Sequence, residues 1–164
     1  MNFKLEKVGR LSGIHASVYA VVLEGELYSV FESFLAEYQV NYRAEIKDII
    51  DRLKIIGNKT GARQDFFKEF EGKFGDLVCA LYDNPDKKLR LYCIKFGGDF
   101  VILGGGGPKE VAAWQDDPNL KHNAELMIVV AEKIHQRFKD GDLHWTSDYK
   151  DIKGDLTFKD DEDE

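Results

Sequence analysis

The segment KLRLYCIKFGGDFVILGGGGPK, Lys88 to Lys109, concentrates the residues best suited to chemistry. In an extended chain, alternation puts Arg90 and Tyr92 on one face with Ile94 and Phe96, and Leu89, Leu91 and Cys93 on the other. Arginine presents a planar, permanently charged fork that matches phosphate, and a neighbouring tyrosine offers a ring for base stacking and a hydroxyl. Gly104 to Gly107 and then Lys109 end the segment. Glycines there, Gly106 and Gly107 above all, permit close backbone approach and expose amide groups to an anion, toward which Lys109 can swing. Composition alone equally allows a plain reading, with Arg90 a solvent-facing sheet residue paired to an acid and the glycines a bulge and a loose turn.

Other signatures of common enzymes are missing. The chain has no Gly-x-Ser-x-Gly, no His-Glu-x-x-His and no dinucleotide fingerprint in a βαβ setting. GNKTGARQ, from Gly57, lacks the order of a phosphate loop and follows no strand. His15, His122, His135 and His144 show no ligand spacing, so no metal and no cofactor is expected. Cys79 and Cys93 lie in apolar runs and read as small core residues in a reducing cytoplasm.

The elements that must carry these residues are legible from periodicity. HASVYAVVLEG, His15 to Gly25, reads as a strand closed by a glycine turn. Leu27, Val30, Phe31, Phe34, Leu35 and Tyr38 form one face of a helix. Ile46, Ile49, Ile50, Leu53 and Ile56 form that of a second, which Gly57 is expected to stop. The short link between them predicts a helical hairpin. FFKEFEG, Phe66 to Gly72, reads as a short helical turn or extended link. An antiparallel meander follows: Asp76–Asp83, a turn at NPDK, Lys88–Phe96, a tight turn at Gly97-Gly98-Asp99, and Phe100–Gly104. Asp117-Pro118 then opens a helix that runs to about Lys139. The order predicts an α+β domain, with helices against one face of a small sheet, over residues 1–138. Residues 139–164 read as an irregular arm and acidic tail, partly disordered.

Charge distribution matters more than the total of -7. Residues 139–164 hold ten acids and four lysines, which leaves the first 138 residues with a net of -1. A basic patch on the body is therefore compatible with the composition. The N-terminal MNFKLEKVGRL lacks the apolar core of a signal peptide, and no run is long enough to span a bilayer. A cytoplasmic protein with no membrane partner is expected.

The order of elements, with LYDNPDKKLRLYCIKFGGDFVILGGGGPK ahead of a helix, resembles the RelE/HigB-like toxins of bacterial toxin–antitoxin pairs. The resemblance covers about Ala16 to Phe138. It is carried by Leu89-Arg90-Leu91-Tyr92 on the central strand and by Val101-Ile102-Leu103-Gly104 running on to Lys109. It implies a RelE-like fold and metal-independent cleavage of messenger RNA, on the ribosome or free of it, restrained by a cognate antitoxin protein. In that chemistry a ribose 2′-hydroxyl attacks its own phosphate, so the site must stabilise a crowded dianion and move protons. Arg90 would hold the phosphate, Lys109 would do likewise or donate a proton, Tyr92 would stack a base and Lys95 would contact the backbone. Alternation puts Lys95 on the face opposite Arg90. Members of that family are commonly shorter and basic and often carry a further site residue near the C-terminal end. Here only Trp114, His122 or His144 is available for that role, outside any matching motif. A non-catalytic protein-binding module on the same scaffold is accordingly the alternative, and a nucleotide-binding enzyme using GGGGPK a third.

Overall fold

The computed structural model describes residues 1–63, 67–69, 77–84, 86–96, 99–109 and 116–160. Its strands are β1 (Phe3–Lys7), β2 (Ser17–Leu23), β3 (Phe67–Glu69), β4 (Val78–Tyr82), β5 (Leu89–Phe96), β6 (Phe100–Pro108), β7 (Leu143–Trp145), β8 (Ile152–Gly154) and β9 (Thr157–Phe158). Its helices are α1 (Val30–Tyr38), α2 (Arg43–Ile55) and α3 (Pro118–Asp140).

Local chemistry accounts for the helix ends. Ser29 caps α1 by accepting the Glu32 amide at 3.0 Å, while its hydroxyl donates to the Glu32 carboxylate at 3.3 Å. Leu27, expected on the helical face, lies before this cap and is exposed. α2 does not stop at Gly57. It runs on through a π-helical turn, Ile56–Thr60, and ends at Gly61, whose φ of 73° and ψ of -175° are open essentially to glycine alone. Gly57 is inside because a Cβ there would stand 2.1 Å from the Leu11 carbonyl oxygen. Asp117 caps α3 through the Asn119 and Leu120 amides, with Pro118 opening the helix and Gly141 at φ 82° closing it.

Seven strands form one sheet in the order β3-β4-β5-β6-β2-β1-β9. Every pairing is antiparallel except β2 with β6, which is parallel over Ser17–Ala20 and Phe100–Leu103. Two apolar clusters divide on the sheet. On one face Tyr92, Ile94 and Ile102 pack under Leu120, Met127 and Ile134 of α3. On the other Leu89, Leu91, Cys93 and Leu103 pack under Phe31 and Phe34 of α1 and Ile49 and Leu53 of α2. The α+β class holds, with three helices and a mostly antiparallel sheet. The helices cover both faces, however, where one was expected. This explains why β4 and β6 are apolar along their length rather than alternating.

Further findings concern the strands. β1 was not expected; its Phe3 and Leu5 point inward between exposed neighbours. Phe67–Glu69 is a short strand on β4, the extended of the two forms expected for that link. The expected turn at Gly97-Gly98, Trp114, and residues 161–164 lie outside the described residues, as do Phe66 and Phe70–Gly72 of that link. The arm after α3, described as far as Asp160, carries three short strands. β7 and β8 make a hairpin, and β9 pairs with β1, stacking Phe158 on Phe3 at 4.5 Å. Trp145 stacks on Phe138 at 5.1 Å and meets Phe100 edge-on at 5.5 Å. Asp151 accepts from Tyr19 at 2.6 Å and from Lys7 at 2.8 Å.

Candidate nucleic-acid interface

The four glycines lie within β6, which continues through them to Pro108 rather than ending at Gly104. All four are buried. A Cβ on Gly104 would lie 2.5 Å from the Met127 sulfur, on Gly105 2.7 Å from Asn123 Oδ1, and on Gly106 1.8 Å from the Arg90 carbonyl oxygen. On Gly107 it would meet Asn119 Nδ2 at 2.4 Å and the Tyr38 hydroxyl at 2.9 Å. The register slips by one between Leu91 and Cys93, so Gly104 and Gly105 together face Tyr92 in a β-bulge. Glycine is required here by the close passage of α1 and α3 and, at Gly106, of the β5 backbone. Gly106 and Gly107 therefore present no backbone surface to a substrate; Gly106 O accepts from Asn119 Nδ2 at 3.1 Å.

Arg90 is half-buried and stands directly opposite Gly107 on β6 and Tyr82 on β4. Among the described residues it makes no ion pair. Tyr92 is 1% exposed, so its ring offers no face to a base. Its hydroxyl has no hydrogen-bond partner among the described residues. Burial pushes this phenol up, the adjacent Arg90 guanidinium pulls it down, and Asp117 adds to the rise. Lys109 follows β6, and its amide donates to the Lys88 carbonyl at 3.1 Å, extending the ladder. Alternation then brings Lys88, Arg90 and Lys109 to the face that α3 covers further along the sheet. Lys95 is on the opposite face, its ammonium 5.4 Å from the centre of the Phe67 ring.

Two neighbours were not singled out from the sequence. Tyr82 is half-buried in the same row as Arg90 and Gly107. Lys87 has φ 55°, a left-handed backbone that costs a lysine roughly 1 kcal/mol. Its ammonium lies 5.0 Å from the centre of the Tyr82 ring. Asp83, 3% exposed, holds this turn: its carboxylate accepts the Leu89 amide at 2.7 Å and its carbonyl accepts the Lys87 amide at 3.1 Å. Counting outward from the NPDK turn pairs Tyr82 with Leu89, one residue short of its observed partner, Arg90.

No family model matches the chain, and neither a curated protein nor a solved structure matches it.

At this end of the sheet, then, Tyr82, Lys87, Lys88, Arg90 and Lys109 converge, beside the N-terminus of α3. The arrangement offers cations for phosphates and one aromatic ring at a sheet surface, the combination used for single-stranded nucleic acid. His122 is exposed on the second turn of α3. His144 is on β7, beside the other end of that helix, which is roughly 34 Å long. It is thus remote from Arg90. Among the described residues, no cluster of His, Cys, Asp and Glu side chains is placed to hold a metal ion, and no helix is long and apolar enough to cross a membrane.

Proposed function

We propose that this chain is a cytoplasmic, metal-independent endoribonuclease of the RelE/HigB-like type, the toxin of a toxin–antitoxin pair, acting on messenger RNA. The observation that carries the reading is the placement of Arg90 and Lys109 on one face at the same end of the β5–β6 ladder. Two cations from neighbouring strands suit a phosphate whose charge grows as the 2′-hydroxyl attacks. Arg90 stabilises the dianion, and Lys109 shares that charge or protonates the leaving 5′-oxygen. The RelE-like reading of the fold rests on the strand sequences Leu89-Arg90-Leu91-Tyr92 and Val101-Ile102-Leu103-Gly104, now seen on adjacent central strands. Ribosome dependence and restraint by a cognate antitoxin belong to the same proposal. Its test is transcript integrity after induction of the wild-type chain and of an Arg90→Ala/Lys109→Ala double variant in a bacterium.

A non-catalytic protein-binding role has one observation in its favour. Leu27 and Tyr28 before α1 and Val40 after it are 84%, 60% and 79% exposed, an apolar rim at both ends of one helix. Growth and transcripts unaffected by soluble wild-type protein would favour that role.

A further inference from the structure

We infer that Tyr82 is the platform on which a base of single-stranded RNA stacks, and that Lys87 leaves the ring to take the adjoining phosphate. This inference rests on the reading of the site as RNA-directed, and names a substrate contact that the Arg90–Lys109 pair does not provide.

The argument begins with what the other tyrosine cannot do. Tyr92 is next along the strand from the Arg90 row, but its ring is 1% exposed beneath α3. Tyr82, by contrast, is the direct cross-strand partner of Arg90 and only half-buried. Such partners have side chains about 5 Å apart at their Cβ atoms, so a base on the ring brings its phosphate within reach of the guanidinium.

The turn after Tyr82 supplies the second observation. Lys87 occupies a left-handed backbone at φ 55°, a conformation glycine or asparagine adopts more readily. The turn is fixed from below by buried Asp83, through the amides of Lys87 and Leu89. A strained residue held by its surroundings points to a requirement for its side chain. Here that side chain sets an ammonium 5.0 Å from the centre of the Tyr82 ring. A cation–π contact at a partly exposed site is weak, so a base can displace it. The lysine, released from the ring, remains beside the strand of phosphates. The free protein thus keeps the platform covered by a cation that becomes a phosphate contact on binding.

The test is the affinity of the full chain for a fluorescently labelled single-stranded RNA that is 2′-O-methylated throughout, which blocks cleavage. The expected result is binding that weakens about tenfold in Tyr82→Ala and is retained in Tyr82→Trp. The indole introduced by Tyr82→Trp should be quenched on binding, a signature that a structural role would not give. Lys87→Ala should flatten the salt dependence by about one counterion. Binding that falls in Arg90→Ala but is unchanged in Tyr82→Ala overturns the platform and leaves the RNA reading standing. An unquenched indole in a Tyr82→Trp protein that still binds overturns it as well. Absence of RNA binding by the wild-type chain at low salt overturns both.

Discussion

Gly107 on β6 lies directly opposite Arg90 on β5, and the space where its side chain would be is occupied by Asn119 of α3 and the hydroxyl of Tyr38 of α1. One pair thus joins the cation of the proposed site to a place where both helices meet the sheet. Arg90 is positioned by the core itself rather than by a loop.

The glycines should differ in tolerance according to what each would strike. Gly106→Ala drives a methyl into the Arg90 carbonyl, which is backbone, and should destabilise by about 3 kcal/mol. Gly104→Ala meets the end of the flexible Met127 side chain and should cost about 1 kcal/mol. Urea unfolding midpoints of the two variants measure the order; equal midpoints would contradict it.

Docking of the arm should be acid-sensitive. Burial pushes the Asp151 carboxyl up, but Lys7, Tyr19 and the Ile152 amide outweigh it and hold it below its ordinary value. A depressed carboxyl stabilises the fold above its unfolded pKa, about 4, and that contribution is lost as pH falls through the folded value. Stability measured from pH 7 downward should therefore drop below about pH 4. Asp151→Asn should flatten that drop and cost about 1.5 kcal/mol at neutral pH.

Trp145 closes an aromatic cluster of Phe96, Phe100 and Phe138. Trp145→Ala should destabilise by about 3 kcal/mol and lower the whole melting transition rather than release the arm alone. Two resolved transitions would show the arm to be a separate unit.

Cys79 and Cys93 are register partners on β4 and β5, both buried thiols. Burial pushes the Cys93 thiol well up, with Cys79 adding to the rise. Neither thiol should react with an aromatic disulfide reagent in the native protein near neutral pH, and both should react in concentrated guanidinium. Rapid native reaction of either would contradict the packing.

What the sequence revealed of this molecule follows from which signals are local. α1, α2 and α3 announced themselves through their apolar faces, and α3 also through its Asp117-Pro118 cap. Four consecutive glycines read as a loop because nothing local records that Met127, Asn123 and Asn119 press on them from a helix later in the chain. Alternation correctly divided Arg90 and Tyr92 from Leu89, Leu91 and Cys93. It could not tell that α3 covers the Tyr92 half of that face and leaves the Arg90 end to Tyr82 and Lys87. β1 was missed because FKLEK gives only two inward residues among charges, and β9 because two residues carry no period. The arm looked irregular for the same reason: its anchors, Trp145, Asp151 and Phe158, each find a partner far away in sequence.

The central claim is that Arg90 and Lys109 act together on an RNA phosphate. Its most direct measurement is messenger-RNA integrity in a bacterium induced to express the soluble chain, beside the Arg90→Ala/Lys109→Ala variant. The account predicts cut transcripts and growth arrest with the wild-type chain, and neither with the variant. Transcripts cut equally by both proteins would remove the site, and intact transcripts with soluble wild-type protein would remove the activity.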